Sequence, residues 1–322
     1  MPETDCVIGL SPMDDVTDMP FRSLCKSMGA DWLVTEFIAS EALNRDAEKS
    51  IRKMQFTKEQ RPIGIQVFGS NEDELLRCID IVEQAEPDFI DINWGCPVRK
   101  VAGRGAGSGI LQDIPKMLAI TAAIVKRSHL PITVKTRLGY DSGSVMVTDF
   151  AEALQDTGIA LLAIHGRTKA QMYSGTADWT MIGEVKNNPR MHIPIFGNGD
   201  IVTAQQAAEC RKRYGVDGIL IGRAAIGNPW IFDNCHHVLH GEAERAVTVA
   251  ERAAVCRKHL LSAAEFKGER TAVFEMRKHY GNYFKGLYNF KPMRMALVSA
   301  TTVDDTLKVL DSIEKQFSGQ KE

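Results

Sequence analysis

One pattern returns eight times before residue 235 and constrains this chain more than any other feature: a short run of Val, Ile and Leu, a Gly or polar residue, then an amphipathic stretch. The strand-like runs fall at 6–12, 31–37, 62–68, 89–93, 131–138, 160–165, 193–198 and 218–222. Between two of them, Leu75, Cys78, Ile79 and Val82 recur at the spacing of one helix face. Many runs are apolar on both faces, as parallel strands covered by helices must be. Eight such units predict an α/β fold, a (β/α)8 TIM barrel; a doubly wound sheet, which usually stops at six strands, fits less well. After Phe232 the strand signals cease. Helical periodicity over 242–266, 271–287 and 303–317 predicts a small C-terminal helical domain, so the expected division is 1–235 and 236–322.

With 322 residues and 44% hydrophobic content, the chain can bury a large core. Its longest apolar runs are strand-length, short of the roughly 20 residues that span a bilayer. The start, Met1-Pro2-Glu3-Thr4-Asp5, carries acids where a secretory signal carries Lys or Arg. Seven cysteines stand singly, without a CxxC pair, so a reduced, cytoplasmic compartment is expected. The cluster Cys235-His236-His237-x-x-His240 lacks a matching second half and reads as a solvated or capping group, with no metal expected.

In such a barrel the active site lies at the C-terminal strand ends. Read in order, those ends are Ser11-Pro12-Met13, Glu36, Gln66, Asn93-Trp94-Gly95-Cys96-Pro97, Lys135-Thr136-Arg137, His165-Gly166-Arg167, Asn198-Gly199-Asp200 and Gly222-Arg223. A polar strand end is ordinary where it meets solvent, but Lys135 and His165 sit within apolar runs. The last two ends combine glycines with Arg223, the make-up of a phosphate site. Cys96 stands between Gly95 and Pro97, which turn the chain and bring the thiol to the mouth. Residues 98–109 follow as a basic, Gly-punctuated segment, expected to be a mobile loop that serves as a lid or delivers an acid. Neither GxGxxG nor a GK[ST] phosphate loop is present in it.

These residues, taken in order, resemble the tRNA-dihydrouridine synthase family. The motifs are Ser11 to Asp18, Asn93-x-Gly95-Cys96-Pro97, Val134-Lys135-x-Arg137-Leu138-Gly139, His165-Gly166-Arg167-Thr168, Gly197-Asn198-Gly199-Asp200 and Ile221-Gly222-Arg223-Ala224. Glu275 to Tyr280 and Tyr283-x-Lys285-Gly286 extend the likeness into the helical region. Asp14-Asp15 stands where the family commonly has Ala-Gly, and Trp94 where a small or Met-like residue is frequent; both changes are expected at the mouth.

The resemblance implies an FMN-binding barrel that reduces the C5–C6 double bond of uridines in tRNA, with NADPH as transient reductant. Pro12, Met13 and Asp14 would contact the flavin ring through the backbone. Gln66, Lys135 and His165 would bind the ring or ribityl chain. Asn198, Gly199, Asp200, Gly222 and Arg223 would hold the phosphate. Cys96 would be the general acid, and Asn93 would orient the uracil. Ten basic residues against three acids between Arg252 and Arg294, in a chain of net charge -2, suit a tRNA surface that includes Arg277 and Lys278, with Tyr280, Tyr283 and Tyr288 interleaved. No obligate protein partner is implied. Two other readings stay open: a flavin barrel acting on a free pyrimidine or other small molecule, and a non-catalytic RNA-binding protein.

Overall fold

The computed structural model describes residues 6–318; the acidic start Met1–Asp5 and residues 319–322 lie outside them. The strands are β1 (Val7–Leu10), β2 (Leu33–Val34), β3 (Ile38–Ala39), β4 (Ile63–Phe68), β5 (Phe89–Trp94), β6 (Ile132–Arg137), β7 (Leu161–His165), β8 (Ile195–Asn198) and β9 (Gly218–Ile221). All pair in parallel, in the order β1-β9-β8-β7-β6-β5-β4-β2. A bridge between Gly9 and Trp32 joins the two ends of that order. The result is the expected barrel.

The second strand departs from expectation. It splits into β2 and β3, both paired with β4, with Thr35, Glu36 and Phe37 between them. There the Thr35 hydroxyl accepts from the Gln66 amide at 3.1 Å, so a side chain replaces one backbone rung. The strand bends, and Glu36 turns toward the β1 loop, where it accepts from the Asp15 amide at 2.8 Å.

Around and between the strands run α1 (Met19–Ser27), α2 (Ser40–Leu43), α3 (Glu48–Met54), α4 (Glu72–Glu83), α5 (Arg99–Ala102), α6 (Ile114–Arg127), α7 (Val147–Asp156), α8 (Thr180–Asn187), α9 (Ala204–Tyr214) and α10 (Ile231–Leu239). Caps fix several starts: Asp18, Asn71 and Asp113 accept from the third helical amide of α1, α4 and α6. The expected boundary at 235/236 falls inside α10, which packs on α9 and β1 and so sits with the barrel. Beyond it come α11 (Val249–Lys267), α12 (Glu269–Tyr283), α13 (Lys291–Ser299) and α14 (Val303–Phe317). Thr248 and Glu251 form a capping box that starts α11.

Inward positions two residues apart build the barrel interior in layers. At its N-terminal end Leu161, Ala163, Phe196 and Leu220 pack with Val7 and Trp32, and Trp32 stacks on Phe89 at 4.0 Å. Further along the same strands, Phe89 gives way to Asp91 and Asn93, Ala163 to His165, and Phe196 to Asn198. The plug is apolar below and polar above. That gradient puts the chemistry at one end. Among the described residues, no helix is long and apolar enough to cross a membrane.

Candidate active site

The C-terminal strand ends enclose a cavity of about 1680 Å³. Pro12, Met13, Asp14, Asn93, Cys96, Lys135, His165, Asn198, Gly199, Asp200, Gly222 and Arg223 all line it, whereas Gln66, Arg277 and Lys278 do not.

At its floor, Asn198 joins two expected ligands. Its Oδ1 accepts from Lys135 Nζ at 3.0 Å and faces His165 Nδ1 at 3.0 Å, while its amide donates to Leu220 O. On the other side of the ring, Arg167 Nη1 lies 3.3 Å from His165 Nε2. A guanidinium only donates, so Nε2 must accept and the proton sits on Nδ1. Burial, followed by Lys135, Arg137 and Arg167, pushes His165 down to about 2, so the ring is neutral. Burial and then Arg137 push the Lys135 ammonium down to about 8. Lys135 makes no ion pair with a carboxylate among the described residues; its hydrogen-bond partner is the Asn198 amide. The Asp91 carboxylate acts on this ammonium only from a distance, partly opposing its fall.

Cys96 is 5% exposed, yet it lines the cavity. Burial raises its thiol above the ordinary value, with the Val98 amide and Arg137 partly opposing, so the group remains protonated. The turn that carries it is held from three sides. Asn93 Oδ1 accepts from the Gly95 and Cys96 amides at 3.0 and 2.8 Å. Ser108 donates to Cys96 O from both its amide and its hydroxyl. Arg137 Nε donates to Gly95 O at 2.7 Å.

Several expectations change here. Asn93 uses its carbonyl on the Cys96 turn and donates Nδ2 to Gln66 Oε1 at 2.8 Å. Gln66 lies fully buried beneath it and donates onward to Asp91, so it supports the wall rather than lining the cavity. The Asp200 carboxylate does not stand free for a ligand. It pairs with Arg167 at 2.6 Å and accepts from the Ala177 amide at 2.8 Å. Although burial pushes that carboxyl up, the Ala177 amide and Arg167 bring it below the usual range.

Trp94 is absent from the mouth: it points outward, buried, and donates to Thr121 of α6. Its position on β5, one residue beyond Asn93, dictates that side. Of the segment 98–109, Ala106 to Gly109 are buried, with Gly107 against the Cys96 turn, whereas 98–100, 103 and 104 are exposed. His236 and His240 bond to Gly29 O and His236 O, and the members of that cluster do not converge.

The two basic positions of the proposed RNA surface are also engaged. Half-buried Arg277 donates to Ala300 O and lies over Phe274, and Lys278 donates to the carbonyl of Asp15. Tyr280 and Tyr283 are core residues, while Tyr288 is 76% exposed. The helical region instead contributes Arg252, Asn282 and Lys285 to the cavity wall.

Arg137 and Arg167 stand at strand ends and Asp91 within a strand, and the sequence assigns none of them a role. The signal lies in alternation: Asp91 and Asn93, or Lys135 and Arg137, share one strand face. Lys53 is a further such residue, bonded to Asp14 and 3.5 Å from buried Glu36. Burial raises the Glu36 carboxyl, and Lys53 opposes it.

A family model described as dihydrouridine synthase matches residues 9–318. The chain is 33% identical over 315 residues to the probable tRNA-dihydrouridine synthase of Rickettsia conorii, covering 97% of this chain and 94% of that one. With tRNA-dihydrouridine synthase B of Pseudomonas putida it shares 34% identity over 314 residues, 97% of this chain and 92% of the relative. For the synthase B of Xanthomonas campestris the values are 38% over 280 residues, 86% and 83%. Among solved structures, histamine dehydrogenase from Rhizobium sp. 4-9 superposes with a TM-score of 0.52 at 12% identity, over 79% of this chain and 48% of that one. That likeness is one of fold.

Proposed function

The chain belongs to the dihydrouridine synthase family, and on that premise we propose that it reduces the C5–C6 double bond of uridines in tRNA, with FMN as resident flavin and NADPH as reductant. The observation that carries this reading is that one cavity is lined by a buried thiol, Cys96, and by the Lys135 ammonium, which makes no ion pair with a carboxylate among the described residues. Gly222 and Met13 line the same cavity, and a Cβ on Gly222 would stand 3.5 Å from Met13 Sδ, an ordinary contact.

In this reading Lys135 meets the ring as a donor, and neutral His165 adds no charge against it. Pro12, Met13 and Asp14 offer backbone along one edge. Gly199, Gly222 and the half-exposed Arg223 take the phosphate, and Asp200 contributes its backbone because its carboxylate holds Arg167. A flavin bound there would supply hydride chemistry, with C6 of the uracil as acceptor. The chain's own part is the proton: Cys96 Sγ–H delivers it to C5 as a general acid, which its raised pKa permits. Asn93 acts through the Cys96 turn, holding the thiol in place. NADPH would use the same open cavity, in keeping with the lack of a separate dinucleotide fingerprint. The target base must leave its stack to enter, and the site of action is the cytoplasm.

The test is direct. Purified protein should absorb near ~450 nm as an oxidised flavoprotein, and tRNA from a strain lacking it should lose dihydrouridine at defined positions. A flavoprotein whose loss leaves every dihydrouridine in place would favour a small-molecule substrate. A colourless protein that still binds tRNA would favour an RNA-binding role.

A further inference from the structure

We propose that α12 clamps the flavin site from outside, and that Lys278 is a positioning residue for the loop between β1 and α1 rather than a phosphate contact for tRNA. The inference rests on the flavin reading above. Residues 12–18 form one closed turn: the Met13 amide donates to Thr17 Oγ1 at 3.0 Å, and the Thr17 amide donates back to Met13 O. The same turn presents Pro12, Met13 and Asp14 to the cavity. At its tip Asp15 adopts φ of 57°, the left-handed region that a non-glycine residue keeps only when its surroundings hold it. Both of its peptide groups are held. Glu36 Oε1 accepts from its amide at 2.8 Å, and Lys278 Nζ donates to its carbonyl.

Two more contacts pull α12 and its neighbour onto this side of the barrel. Lys267, at the end of α11, bonds to both Asp18 and Glu275, and Asp18 is also the N-cap of α1. On the far side, the loop after Gly222 and Arg223 meets α12 without space to spare. A Cβ on Gly227 would stand 2.6 Å from His279 O and 2.7 Å from the Tyr283 amide nitrogen. One helix therefore touches both loops expected to hold the flavin, the first through Lys278 and the second through Gly227. Removing the Lys278 ammonium releases the Asp15 carbonyl, and the turn that ends at Met13 loosens with it.

The experiment uses holoenzyme. FMN fluorescence released on dilution is followed for wild type, Lys278→Met and Lys278→Arg, together with the visible circular dichroism of the bound flavin. Loss of one charge-assisted hydrogen bond should speed FMN release by about tenfold in Lys278→Met and alter the flavin dichroism. Lys278→Arg, which keeps the donor, should restore both. FMN release at the wild-type rate from Lys278→Met overturns the proposal, and so does an equal acceleration in Lys278→Arg. Wild-type protein that neither carries nor takes up FMN would instead sink the flavin reading itself.

Discussion

His165 shows how one residue sets the character of its surroundings. It is buried against three cations, Lys135, Arg137 and Arg167, and accepts rather than donates toward Arg167. In the unfolded chain the ring binds a proton near pH ~6.5, whereas in the fold it refuses one until about 2. Between those values the unfolded state holds more protons, so stability falls as pH falls, by up to about 1.4 kcal/mol per pH unit. His259, pushed by burial to about 4, adds a term of the same sign. Urea unfolding between pH ~5 and ~6.5 should show this slope, and His165→Gln should flatten it; an unchanged slope in the variant would mean that His165 is protonated in the fold. Cys96 yields a sharper test. Cys96→Ala should keep FMN and its reduction by NADPH, while dihydrouridine formation falls by ~10²–10⁴-fold. A variant that forms dihydrouridine at the wild-type rate would remove Cys96 from the reaction. Much of this site could be read in the sequence, because Lys135 and His165 interrupt apolar runs. Arg167 could not, since an arginine beyond a strand end reads as solvent-facing until Ser174, Gly175 and Asp200 close around it.

At the level of elements, the parallel strands were legible because each buries both faces, and helices α4 and α14 because theirs is a single apolar stripe with a cap. The bend between β2 and β3 was not, because it depends on the Thr35 hydroxyl meeting a rung of β4 some thirty residues away. The 235/236 boundary failed to match an element end for a similar reason. Loss of strand signal marks the last strand, but the helix after it still covers the barrel. α12 carried mixed signals: its basic residues suggest a solvated face, yet Tyr280, Tyr283 and His279 are core, and His279 packs against Phe21 of α1 at 5.1 Å. Its docking rests on close approach at Gly227, which has φ of 66°. Gly227→Ala should therefore destabilise the protein by about 2 kcal/mol in chemical denaturation, through strain and displacement of α12 together. A loss below about 0.5 kcal/mol would show that the loop can move aside.

For the whole molecule, the charge asymmetry acquires a direction once the engaged residues are set apart. Arg277 and Lys278 are tied to Ala300 and Asp15, and Lys267 is sealed between two acids at 9% side-chain exposure. Lys285 and Arg294 are exposed, on the side of α12 that leads to the cavity: Lys285 lines its wall, and Arg294 lies across Gly281, 3.8 Å from where a Cβ would stand. We predict that a tRNA inserting one base into the barrel runs its backbone over this edge; Tyr288 of the same helical region is exposed as well. Neutralised phosphates release counterions, so each contact contributes roughly 0.7–0.9 to the slope of log K against log salt. Lys285→Glu combined with Arg294→Glu should lower that slope by about 1.5 and weaken binding most at low salt. Lys126→Glu reverses an exposed charge at the C-terminal end of α6, which in a β/α barrel lies at the face opposite the active site. It should leave the slope unchanged, which separates a local contact from the effect of net charge. Equal losses from the α12 edge and from Lys126 would mean that tRNA senses only the overall field. A loss confined to Lys285 and Arg294 would place its backbone on the route from the helical region to Cys96.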